Sequence, residues 1–162
     1  MANKLYVQQE TAIEWTDSGG DYALDLGSLA ADAVRVGARA DLGAAPRAFQ
    51  YEWRIVIDGF DTAPVVGEGV NIFLSTSDGT YEDGDVGTAD AAGTKVSLSN
   101  LLFIGSAIVQ TTTAADKLQA SGLVNIAARY VSPVVWNGTA DALLGTADAH
   151  KFYLTPMPLE LQ

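Results

Sequence analysis

The chain has 162 residues, no cysteine, and twenty acidic against nine basic residues, for a formal net charge of −11. At this length one compact domain buries roughly 70% of the surface its unfolded chain exposes, so packed side chains suffice without disulfides or a thiolate metal site. Lysines and arginines are scattered along the chain, so nucleic acid and anionic membrane are disfavoured as partners, because both would be repelled.

The amino terminus, MANKLYVQQETAIEW, lacks the apolar core of a signal peptide, and no later run is long enough for a membrane span. The expectation is a protein that starts at or next to Met1 and is made in a cytoplasm. Residues 1–16 read as an N-terminal arm or a first strand, and 17–162 as the body. Along the arm Leu5, Tyr6, Val7, Ile13 and Trp15 are apolar anchors on an otherwise polar segment.

Period-two patterning dominates the chain from there on. Strands are expected at Ile13 to Thr16, Asp21 to Leu26 and Ala33 to Arg39. In YEWRIVID, Tyr51, Trp53, Ile55 and Ile57 share one face, while Glu52, Arg54, Val56 and Asp58 share the other. GVNIFLSTS places Val70, Ile72 and Leu74 together and breaks at the turn-forming Ser77-Asp78-Gly79. Further strands are expected at Lys95 to Leu98, Leu102 to Gln110, Leu123 to Val135 and Ala149 to Thr155. Helical signals are few. Leu24 to Ala33 is broken by Gly27, and Thr113 to Ala120 is either a short helix capped by Thr113 or a loop, with Leu118 opening the next strand. Short runs punctuated by sixteen glycines predict an all-β, single-domain, jelly-roll-like β-sandwich. About eight antiparallel strands are expected, with at most one short helix.

Four features invite a chemical reading. The acidic stretch SDGTYEDGDVGTAD, residues 77–90, carries Asp78, Glu82, Asp83, Asp85 and Asp90 and is rich in the hard oxygen ligands that calcium takes, but glycine occupies the fifth position of the D-x-[DN]-x-[DN]-G spacing. A solvated loop is the simpler reading. His150 is the only histidine, and a hydrolase would have to be built on it. It shares a face with Phe152 and Leu154, which reads as a structural residue at a strand start. Asn137-Gly138-Thr139 matches a glycosylation acceptor, but Asn-Gly is more simply a tight turn with both residues at positive φ. Trp15 and Trp136 lie near predicted strand ends, where a carbohydrate-binding face would use them. The recurring GTADA segments read as small polar linkers. No phosphate-binding glycine loop, paired catalytic carboxylate or nucleophile elbow is recognisable, so neither catalysis nor a cofactor is expected.

The order of segments carries a resemblance. An N-terminal arm leads to the glycine-rich acidic DSGGDYALDLGSLA; a Y-x-W strand, APVVGEGVNIFLSTSDGT and an acidic loop come next, then ARYVSPVVWN and HKFYLTP. Over most of the chain, from Ile13 to Leu161, this pattern resembles the small jelly-roll or β-sandwich decoration (cement) proteins of tailed-bacteriophage capsids. The resemblance implies a structural virion protein on the capsid exterior that binds the major capsid protein, groups as a homotrimer and stabilises contacts between shell subunits. It implies no catalytic residues, and partner contacts fall to Leu5, Tyr6, Val7, Ile13, Trp15 and Trp136. The alternative is a carbohydrate- or receptor-binding module of a tail or head appendage, with calcium as its ligand in the acidic loop.

Overall fold

Alternation in the central strands sets the plan of the molecule. In β6 (Gln50–Ile57) the side chains of Tyr51, Trp53, Ile55 and Ile57 are buried, while Arg54 is exposed. In β7 (Gly69–Ser77) Val70, Ile72 and Leu74 are fully buried. The computed structural model describes residues 5–44 and 47–161, and it places these two strands in opposite sheets of a β-sandwich.

One sheet has five strands in the order β10 (Leu118–Asn125), β6, β12 (Lys151–Pro156), β2 (Ile13–Thr16) and β3 (Tyr22–Ala23). The other has six: β8 (Ala91–Gly93), β4 (Val34–Val36), β11 (Tyr130–Asn137), β7 and β9 (Leu102–Ile108), with β5 (Ala40–Asp41) pairing β11 beyond the end of β4. The pairing is antiparallel except between β2 and β3. A third, two-stranded piece joins the chain ends, β1 (Leu5–Val7) against β13 (Leu159–Leu161). The expected all-β sandwich is what forms. The thirteen strands among the described residues, eleven of them in the two large sheets, exceed the expected number because pieces of two or three residues, such as β3, β5 and β8, pair at the margins.

Several boundaries differ from expectation, each for a packing reason. Ala33 to Arg39 does not run as one strand. Pro133, in the middle of β11, cannot donate, and its missing donor points to the side where β4 ends and β5 has not begun. Its carbonyl accepts the Gly37 N–H at 2.8 Å. Leu123 to Val135 is two strands, because the chain leaves one sheet at Asn125 and enters the other at Tyr130. Asp21 to Leu26 shrinks to β3, which ends as the Leu24 N–H makes a last bond to the Thr16 carbonyl at 2.8 Å and Leu24 and Leu26 turn into the core. Thr113 to Leu118 takes the loop alternative, and Leu118 opens β10.

Lys95 to Leu98 is not a strand. It enters a 3-10 turn, Ser97–Asn100, within a segment that lies over the outer face of the six-stranded sheet. There Val34, Val36 and Val134 form a second small core with Phe73, Val86, Leu98, Leu101 and Trp136. This outer layer explains why β11 is buried on both faces instead of alternating.

Between the sheets, Trp53 occupies the side where β9 and β10 run beside each other without pairing. Gly105 of β9 and Gly122 of β10 leave room for it. A Cβ at Gly105 would lie 2.6 Å from Cζ2 of the indole, and one at Gly122 would lie 2.8 Å from Nε1.

Candidate partner-binding site

Each chemically suggestive residue is committed to the fold. His150 is 3% exposed, and its face-sharing neighbours Phe152 and Leu154 are fully buried. Its Nδ1 accepts the Asp58 backbone N–H at 3.0 Å, and its Nε2 donates to the Leu144 carbonyl at 2.7 Å. That pair of bonds requires the neutral ring protonated on Nε2. Burial pulls its pKa below the ordinary value, against the opposing pull of the Leu144 carbonyl and Asp58. Neither nitrogen is free to act as a base toward a ligand.

The acidic stretch is held by internal partners. The Asp78 carboxylate accepts the N–H groups of Thr80 and Tyr81 at 2.7 and 2.9 Å, which lowers its pKa. Glu82 pairs with Arg39 at 2.7 Å, Asp83 accepts the Thr76 hydroxyl, and Asp90 takes the Arg35 guanidinium in a two-pronged bond. Most of this stretch, Asp78, Asp83 and Asp85 included, is exposed as a solvated loop would be, while the half-buried Glu82 and Asp90 fasten it to arginines of the sheet side. Among the described residues no group of three or more acidic or histidine side chains is arranged to hold a metal ion.

Asn137 is fully buried. Its Nδ2 donates to the carbonyls of Leu29, Ala30 and Asp141 at 3.0, 3.1 and 2.8 Å, and its Oδ1 accepts from the Thr139 N–H and hydroxyl. A glycan cannot be attached there in the folded chain. A tight turn does form there, closed by the Gly138 N–H on the Trp136 carbonyl at 3.0 Å and braced by the Asn137 side chain, but neither Asn137 nor Gly138 uses the positive φ open to them. Asp148 in the second GTADA does take φ +56°, and its carboxylate accepts the Ser18 and Gly19 N–H groups at 2.7 and 3.0 Å. The linker reading gives way here to an anchor between the two segments.

The six expected contact residues divide. Trp15 is fully buried, stacks on Tyr22 at 5.4 Å and donates its indole N–H to the Ala38 carbonyl at 2.8 Å. Ile13 packs against the same core. Both are sheet residues, because alternation along β2 turns them inward, so residues 13–16 belong to the sandwich body and not to an arm. Trp136 is half-buried on the outer layer, bonded to Asp32 at 3.1 Å with the Lys95 ammonium 5.3 Å from its ring centre. Neither tryptophan offers an open face on which a sugar would stack. The start of the arm, through Lys4, lies outside the described residues, as does the side chain of Leu5.

Tyr6 and Val7 are different. They are 46% and 51% exposed, on the ribbon where the chain ends meet. Beyond β1 the arm stays attached to the C-terminal segment, with the Gln8 and Glu10 N–H groups donating to the Pro158 and Pro156 carbonyls at 3.0 Å. The C-terminal segment thus loses one of its two partners: pairing with β6 ends at Met157, whose N–H reaches the Gln50 carbonyl, while pairing with β2 and the arm runs on to β13. At this junction a groove of about 840 Å³ opens, lined by Leu42, Arg47, Phe49, Tyr51, Met157 and Leu159 among others. Phe49 and Leu159 are 59% and 63% exposed. Neither stood out in the sequence, since Phe49 is in phase with Tyr51 and Trp53 and reads as one more inward residue ahead of the strand, and Leu159 lies among prolines.

No protein-family model matches the chain, and no curated protein matches it in sequence at a significant level.

Proposed function

We propose that the chain is a structural virion protein, a decoration protein that binds the outer surface of a tailed-phage head and stabilises contacts between major capsid subunits. The observation that carries this reading is the exposed ribbon of the two chain ends, with Tyr6, Val7 and Leu159, beside the groove under Phe49. A two-stranded ribbon is marginal by itself in water, and this one adds large apolar side chains to an acidic surface. Docking against a shell subunit would cover those side chains and supply the missing packing, with the aromatic residues as anchors. The commitment of His150 and of the acidic loop to internal bonds supports a role in which the surface, and not a reaction centre, is the working part.

The test is addition of purified protein to expanded capsids that lack it. Binding and a raised disruption temperature are expected, and Val7→Lys with Leu159→Asp, a complementary pair at directly opposed positions, should abolish binding while the isolated protein keeps its melting temperature. Wild-type protein that neither binds such capsids nor raises their disruption temperature refutes the reading.

A further inference from the structure

The two terminal strands on one side of the sandwich, β9 and β10, differ from the rest of the molecule in charge. From Val96 to Ala128 the only ionisable side chains are Asp116 and Lys117, both in the connection between the strands, and Lys117 is paired with Asp58. The strands themselves carry neither charge nor proline. Strands that end a sheet are ordinarily protected by charge, proline or a covering element, because one side of their backbone has no ladder partner. β9 has in their place only a bulge at Ile104, opposite Ile72 and Phe73, and the pairing of β10 with β6 is regular throughout. On this side Leu102, Phe103 and Ile108 of β9 are 45%, 53% and 45% exposed, and Leu123 of β10 is 60% exposed. Val65 and Val66 are exposed beside Ile108, in the turn whose Gly67 N–H bonds the Val109 carbonyl.

We propose that this uncharged side is a self-association face, through which two copies of the chain pair about a twofold axis. The charge distribution selects the occupant. With a net charge of −11, two copies repel each other wherever carboxylates face, and this side is where they can approach without that cost. A cationic partner would be drawn to the acidic remainder of the surface. A twofold contact also needs only one patch, which serves both copies. The bulge at Ile104 limits continuous backbone pairing, so the contact is carried by apolar side chains at the two rims of this side, Phe103 and Ile108 on the outer face of the six-stranded sheet and Leu123 on that of the five-stranded sheet. It is independent of the threefold grouping that the resemblance implies, and it does not rest on docking to a shell.

Sedimentation velocity on the purified full chain tests it. A dimer is expected at high micromolar concentration, with the dimer fraction rising with added salt, since screening weakens the repulsion between acidic copies. Ile108→Lys and, separately, Leu123→Asp, opposite Glu52, each bury an unpaired charge in the contact, and each should weaken association at least about tenfold with an unchanged melting temperature. Tyr81→Lys, at a residue 78% exposed on the acidic stretch, should leave association unchanged. A monomer at every concentration and salt, or a dimer insensitive to both strand substitutions, overturns the proposal.

Discussion

Replacing Gly105 by alanine tests how Trp53 closes the side of the sandwich. The added methyl would stand 2.6 Å from Cζ2 and 2.7 Å from Cη2 of the indole, against about 3.5–4.0 Å for an ordinary carbon contact, an overlap of about 1 Å. Trp53 is 3% exposed and has no space to retreat into, while Gly105 is held by pairing with Ile72. Overpacking of this kind costs about 1–3 kcal/mol, which lowers the melting temperature by about 2–12 °C in a domain of this size. Trp53→Phe removes the atoms that the methyl strikes. It also removes an indole N–H that is buried without a hydrogen-bond partner, so its cost should fall below the ~3–5 kcal/mol of full truncation to alanine. In the double variant the methyl fills part of the vacated space. The pair should therefore be less destabilised than the sum of the singles by at least about 1 kcal/mol. Urea denaturation of all four proteins, followed by far-UV circular dichroism, measures the coupling. Additivity within about 0.5 kcal/mol would refute the steric argument.

Three further outcomes are expected. His150 titrates near 6.5 in the unfolded chain and below that when folded, so below pH 6.5 the unfolded state binds the additional proton. Stability should fall as the pH drops through that window, by at most about 1.4 kcal/mol per pH unit, and His150→Gln should flatten the dependence of melting temperature on pH between neutrality and the carboxylate range. Asn137→Ala removes a hydrogen bond from each of three carbonyls that keep a second donor, and leaves the Thr139 N–H unpartnered; it should cost about 2–4 kcal/mol in denaturant titrations, whereas an exposed Asn-Gly turn would lose almost nothing. Asp148→Ala frees the amides of Ser18 and Gly19, whose hydrogen exchange should accelerate selectively. The wild-type carboxylate, with its pKa depressed chiefly by those bonds, should give the same acceleration when the pH falls low enough to protonate it.

Sequence alone determined the class of fold and the inner faces of its main strands. The alternation of Tyr51, Trp53, Ile55 and Ile57, and of Val70, Ile72 and Leu74, is local information, because successive side chains of a strand point to opposite faces. His150 was legible for the same reason, sharing the period of Phe152 and Leu154. Features outside that reach depend on residues distant in the chain. Trp15 reads as an anchor at a strand end and becomes core because β2 is flanked by β12 and β3. Glu82 and Asp90 read as solvated with the rest of 77–90 until Arg39 and Arg35, 43 and 55 residues earlier, are brought against them. The ribbon and its groove combine the two ends of the chain with Phe49, and no periodicity links those three places. Only the tertiary structure decided which apolar residues stay exposed, since exposure is set by the neighbours a side chain acquires on folding and not by its own pattern.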